Sequence, residues 1–428
     1  MFGTSVLTIA TSITRAMPFL LLPLLTAYMS PEDFGYISYI GALAALAAIF
    51  IGFSSPSFLI VKWSKLQGSE RVKFIAVMLK IGWIMSFVTL ILLFFWLNYF
   101  SSLKLSIDII IFIAIIAFAR SLFLILDAVL QSTRALGTLA AFLVFQAFLH
   151  YGIALYLLEQ MLPNWQGKFF GELISSIIVI IATFIYLSRT GLISLRSQRK
   201  HFYELTKYCA PLAFHILALW VMGSIDRIML TEIKGLEAAG VYTVAYLIGM
   251  SLDFIHQALS KVWSPWFYRN INISDKQSKD SIVRFTYSYT FFTVLMLIAF
   301  LIIVPHIFEF FIDERYLKGA PVIAIVAFGY AFELVRKLFV GYLFALNKTL
   351  LIAKLTLLCA LLNILLNSFL IPNYGVIGAA WATVLSYMII AIATVNISMK
   401  LYGMPWRSFS ISKNALLEPF LDRLRKKD

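Results

Sequence analysis

Charge is scarce in this 428-residue chain. Asp, Glu, Lys and Arg make up 13% of it, about half the share found in an ordinary soluble domain. With 61% of residues hydrophobic and a mean hydropathy of +0.90, too little polar surface remains to cover the apolar residues, and a soluble globular protein is excluded. Cysteine is scarcer still. Cys209 and Cys359 both lie inside apolar runs, so neither a disulfide nor a thiol metal site is expected. The five histidines are scattered without ligand spacing, and no metal or cofactor is expected. No basic stretch precedes the first apolar run, which Arg15 interrupts, so the N-terminus reads as a retained span and not as a cleaved signal peptide. No outward segment is large either. The longest, near 305–320, holds about 15 residues, too few for a folded catalytic domain. The chain is therefore not expected to be an enzyme, and recognition is expected between its helices.

What is present is a series of apolar runs at about 5–29, 34–61, 74–100, 106–130, 138–160, 168–188, 208–231, 241–262, 284–306, 320–346, 350–371 and 376–400. Each is near the roughly 20 residues that a helix needs to cross a bilayer, which predicts an all-α integral membrane protein with twelve transmembrane helices. With the N-terminus inside, the inward segments hold 24 of the 35 Lys and Arg, so both termini are expected to be cytoplasmic. The same residues account for the net charge of +14 by lying against anionic headgroups, and nucleic acid is not needed as a partner. The expected organisation is an N-terminal six-helix lobe at 1–188, a basic cytoplasmic linker at 189–207, a C-terminal six-helix lobe at 208–400 and a basic cytoplasmic tail at 401–428.

An ionisable group at a helix centre costs on the order of 2.5 to 3.5 kcal/mol unless it faces protein or water. Eight such groups stand out: Arg15, Arg120, Asp226, Arg227, Asp253, Glu333, Arg336 and Lys337. Five are basic, which predicts a water-filled cavity suited to an anionic headgroup, with Arg15, Arg120, Arg227, Arg336 and Lys337 as its substrate-binding residues. Asp226, Asp253 and Glu333 are the candidates for ion coupling. Structural readings compete. Glu333 precedes Arg336 by three residues and Lys337 by four, so this trio can neutralise itself on one helix face. Asp253 can equally bond to neighbouring helices, and Arg227 can reach the outer interface. Arg15 and Arg120 have no opposite charge within four residues, which makes them the strongest candidates. Pro18 and Pro23 are expected to bend the first span, and Ser54-Ser55-Pro56 the second. Trp263, Trp266 and Tyr268 read as an interfacial belt.

The stretch from Tyr208 to Tyr242 carries a second pattern. Its apolar run ends in Asp226-Arg227 and a turn Glu237-Ala238-Ala239-Gly240-Val241-Tyr242, much as the first span runs into Pro31-Glu32-Asp33-Phe34-Gly35-Tyr36. Glu32 and Gly35 lie 205 residues before Glu237 and Gly240, so the chain reads as one half written twice, two six-helix bundles related by pseudo-two-fold symmetry.

These motifs, together with Ile225-Asp226-Arg227, Leu346-Asn347-Lys348-Thr349 and Pro372 to Thr383, resemble the polysaccharide biosynthesis exporters, the Wzx-type flippases of the multidrug/oligosaccharidyl-lipid/polysaccharide superfamily. The resemblance covers nearly the whole chain. It implies a MATE-like, two-lobe transporter of a bacterial inner membrane that moves polyprenyl-diphosphate-linked oligosaccharide repeat units of O-antigen, capsule or exopolysaccharide to the outer leaflet by alternating access. It also implies that a first-span arginine, here Arg15, lines the cavity, and that a polysaccharide polymerase and chain-length machinery are partners. Alternatives are a MATE-like multidrug/cation antiporter, which calls for an acidic cavity, a lipid II-type flippase, which carries two further helices, and a membrane glycan polymerase, which displays a large outer loop.

Overall fold

The computed structural model describes residues 2–194, 196, 198–271, 276–406 and 413–425. Arg407, Lys426, Lys427 and the terminal Asp428 of the expected basic tail lie outside these residues. Among the described residues every regular element is helical. By length and composition, nine helical segments among them can cross a membrane, and a bent pair, Leu236–Phe254 with Leu259–Asn270 at 43°, makes a tenth.

Contacts divide the chain into two compact units, Met1–Gly240 and Val241–Asp428. The first opens with α1 (Phe2–Leu20) and α2 (Leu22–Tyr28), which break at Leu21 between Pro18 and Pro23, where the prolines remove backbone donors. Helix α3 (Pro31–Gly52) starts with a capping box. Ser30 Oγ accepts from the Asp33 N–H, and Asp33 Oδ2 accepts from the Ser30 N–H at 2.9 Å. Phe53 and Ser54 then adopt left-handed φ values of 46° and 55°, and α4 (Ser55–Lys62) restarts with Pro56 in its first turn. The expected second span is thus broken at the Ser54-Ser55-Pro56 site. Helix α5 (Ser69–Phe95) runs into a π turn at Trp96–Phe100, and α6 (Ile107–Ser132), α7 (Leu136–Gln160), α8 (Trp165–Arg189) and α9 (Arg199–Lys234) follow.

Two apolar clusters hold this unit. One joins Phe58, Phe74, Leu126 and Leu205; the other joins Tyr39, Leu93, Ile113 and Phe169. The two copies of the repeated turn also meet here. A Cβ on Gly35 would lie 2.0 Å from the Leu236 carbonyl oxygen, and one on Gly240 would lie 1.7 Å from that of Pro31. Only glycine permits a backbone approach this close.

Helix α10 (Leu236–Gly249) leads into the second unit, with α11 (Leu252–Asn270), α12 (Lys276–Phe311), α13 (Ala320–Ala345), α14 (Thr349–Leu401) and α15 (Lys413–Arg425). Helix α13 is 26 residues long but carries Glu333, Arg336 and Lys337 in its second half. Helix α14 has 53 residues and would be roughly 80 Å long if straight, far more than a bilayer core. It turns at Gly375, whose φ of 56° and ψ of −132° interrupt the helix just after Pro372.

One expectation needs correcting. Trp263 and Trp266 are 5% and 3% exposed and pack with Phe267, Phe285 and Tyr342 in the core of this unit, so they are not an interfacial belt. Tyr268, 39% exposed, is the one member of the trio that faces outward.

Candidate functional site

In the first unit, α6, α7 and α8 bring five polar side chains together. The approach of α7 and α8 is set by small residues: a Cβ on Gly171 would lie 2.6 Å from the Ala154 Cα. Arg120 of α6 places Nη2 2.5 Å from Glu172 Oε1 on α8, and its Nη1 reaches the Gly41 carbonyl of α3 at 3.5 Å. One turn before Glu172, Lys168 donates from Nζ to His150 Nε2 of α7 at 2.6 Å and stands 4.8 Å from the ring centre of Tyr151. An ammonium only donates, so the His150 proton belongs on Nδ1. Lys168 is 8% exposed, whereas the Arg120 side chain keeps 35% of its surface accessible. With a neutral histidine the cluster carries one net positive charge, and its accessible edge is the Arg120 side chain. Such an edge at span depth can take a divalent oxyanion by bidentate hydrogen bonding.

Arg120 is therefore paired, contrary to the isolation suggested by its own helix. Its partner comes from a helix more than fifty residues on, out of reach of a search at helical spacing. Lys168, Glu172 and His150 were missed for the same reason. The available signal was Lys168 and Glu172 four residues apart inside an apolar run. Arg15 lies exposed on α1. On α9, Asp226 is 2% exposed and accepts from the Arg227 N–H at 2.9 Å, while Arg227 Nη1 donates to the Gly223 carbonyl one turn back.

The second unit holds a neutral network. Arg336 grips Glu333 with two bonds of 2.6 Å on one face of α13, as their i,i+3 spacing predicts. Lys337 does not join that pair. It crosses to α11 and donates to Asp253 Oδ1 at 2.5 Å, while Gln257 donates to Asp253 Oδ2 at 2.9 Å. Asp253, 8% exposed, stands in the first turn of α11, directly after the Met250-Ser251 break. His256 bonds through Nδ1 to the Tyr289 hydroxyl at 2.5 Å, and the Tyr246 and Tyr330 hydroxyls meet at 2.9 Å. Among the described residues no three His, Cys, Asp or Glu are grouped to hold a metal ion.

Comparison with known proteins places this geometry in context. The pattern of the family described as polysaccharide biosynthesis protein matches residues 2–271. An uncharacterized membrane protein of Methanocaldococcus jannaschii is 28% identical over 171 residues, 40% of this chain; the match spans about a third, 34%, of that relative's length. Among solved structures, the lipid II flippase MurJ in an inward closed conformation aligns with a TM-score of 0.69 at 17% identity, covering 98% of this chain and 90% of its own. An inward-facing multidrug resistance MATE family transporter of the MOP superfamily aligns with a TM-score of 0.62 at 12% identity, covering 92% and 98%. At these identities the likeness is one of fold.

Proposed function

The chain belongs to the polysaccharide biosynthesis protein family, and from that premise we propose that it moves a polyprenyl-diphosphate-linked oligosaccharide from the cytoplasmic to the outer leaflet by alternating access. In this reading α13 is one span and α14 two, which brings the total to twelve, with both termini cytoplasmic in an inner membrane. The observation that carries the reading is the cluster of Arg120, Glu172, Lys168 and His150, a net positive charge on membrane-spanning helices with the partly accessible Arg120 side chain at its edge. A diphosphate carries about two negative charges through a region where each costs several kcal/mol, and a carrier must offset that with cations at the same depth.

Arg120 supplies the planar fork in the first unit, where Arg15 and Arg227 are further proposed substrate-binding cations; Arg336 and Lys337 are the proposed ones of the second unit. Lys168 holds the field positive from behind without needing to touch the ligand. Asp226, Asp253 and Glu333 remain the proposed coupling groups. Asp253 and Glu333 are each held by a base, so a coupling ion would have to release Lys337 or Arg336 as it binds. A polymerase and chain-length machinery are the proposed partners.

The test is leaflet-resolved detection of the polyprenyl-linked glycan in a depletion strain. Accumulation on the inner face is expected. An unchanged distribution alongside raised retention of a cationic dye would replace the flippase with an antiporter.

A further inference from the structure

A cavity apart from the charged clusters lies in the first unit, on helices α3, α5 and α9, each long and apolar enough to cross a membrane. Its volume is about 690 Å³. Apart from Thr89 and Glu232 its walls are apolar, and flat aromatic faces recur in them: Phe50, Phe95, Trp96, Phe100 and Trp220. Trp220 is pinned by its indole N–H, which donates to the Ala42 carbonyl at 3.1 Å. Trp96 and Phe100 stack at 5.8 Å in the π turn that ends α5, an irregularity often found at functional sites.

One end is closed by a polar knot. The Glu232 carboxylate accepts from the Tyr39 hydroxyl at 2.8 Å, the Ser101 hydroxyl at 2.6 Å and the Ser102 N–H at 2.6 Å. From the level of Leu43 to that of Phe50 the groove runs roughly 10 Å along α3.

Each feature narrows the occupant. At span depth the surroundings are lipid chains, so the groove is filled by chain and not by water. The carboxylate at the closed end repels a phosphate, and its acceptor sites already hold three donors, so this is not a headgroup site. At about 30 Å³ per water-sized group, the volume holds roughly twenty such groups, or about four isoprene units. A branched chain stiffened by double bonds loses less freedom than a saturated acyl chain when it is ordered against rigid aromatic faces.

We propose that this groove binds a segment of the isoprenoid tail of the lipid-linked substrate, with its phosphate end directed away from Glu232. The inference rests on the flippase reading for the identity of the lipid. It adds where the tail is held while the head crosses.

The test uses the full chain in nanodiscs of phosphatidylethanolamine and phosphatidylglycerol, photolysed with a diazirine-bearing isoprenoid phosphate of twenty carbons. Label is expected on peptides covering 89–100 and 220–233, and undecaprenyl phosphate should displace it where added phospholipid does not. Leu46→Trp and Leu92→Trp, which fill the groove, should each lose most of that label at unchanged protein yield. Label mapping elsewhere in the unsubstituted protein, or displacement by phospholipid as readily as by undecaprenyl phosphate, would overturn the proposal whether or not the variants fold. The labelling does not depend on transport. Groove label without an inner-leaflet defect on depletion would therefore count against the flippase, and the defect without groove label would count against the groove.

Discussion

Arg120 and Glu172 are worth more as a pair than either is alone. Removing the arginine leaves a carboxylate with little exposed surface, and breaking a buried pair from one side costs about 3–5 kcal/mol. With a third of the Arg120 side chain open to solvent, a figure of about 1–3 kcal/mol is the better guide. Arg120→Ala is therefore expected to lose protein level as well as export. Adding Glu172→Gln should restore the level and leave export lost, as quantified by membrane abundance and by export per molecule. Full export in the double variant would remove Arg120 from the mechanism. Arg120→Lys keeps the charge without the fork and should retain only part of the activity.

Lys337 calls for a different comparison, because its partner lies on another helix. Lys337→Ala strands Asp253 beside Gln257 and should lower the melting temperature, whereas Lys337→Ala with Asp253→Asn should recover it. Failure of the double variant to recover would mean that Asp253 has another essential partner. The charged residues themselves were legible in the sequence; their partners were not. Charges meet across helices according to which faces pack, and helical spacing reports only neighbours on one helix.

Breaks in the elements were legible wherever a residue type imposes them. Prolines mark the interruptions of the first two spans because the missing N–H acts locally, although Pro211, Pro265 and Pro305 lie inside continuous helices. Trp263 and Trp266 misled because an aromatic cluster near a helix end looks the same whether it meets headgroups or a core. The break between α10 and α11 was invisible, since nothing in Met250-Ser251-Leu252 forbids a helix. Close approaches give the sharpest test at this scale. Gly240→Ala places a methyl group inside van der Waals contact with the Pro31 carbonyl and should lower both abundance and melting temperature. Gly152→Ala on α7 meets nothing within 4 Å and should be neutral or stabilising by about 0.5–1 kcal/mol. A Gly240→Ala variant as stable as Gly152→Ala would show that the crossing at Pro31 yields easily.

For the whole molecule, the distribution of Lys and Arg predicts an orientation that can be read chemically. The two native thiols, Cys209 and Cys359, are buried, so the unsubstituted protein should give little background with a membrane-impermeant maleimide. A cysteine at Lys104 is expected to label from outside and one at Arg196 only after the membrane is opened. The reverse pattern would invert the topology.

The crossing of the two repeated turns has a consequence for descent. Gly35 meets the backbone of Leu236 while Gly240 meets that of Pro31, and both partners are separated by the same 205 positions. Contact of i with j matched by j with i is the reciprocity of an isologous interface. A half-length ancestor bearing one such turn would already have been its own complement. Two copies could associate without evolving a second surface, and fusing their genes would have tethered a pairing that existed before the longer chain did.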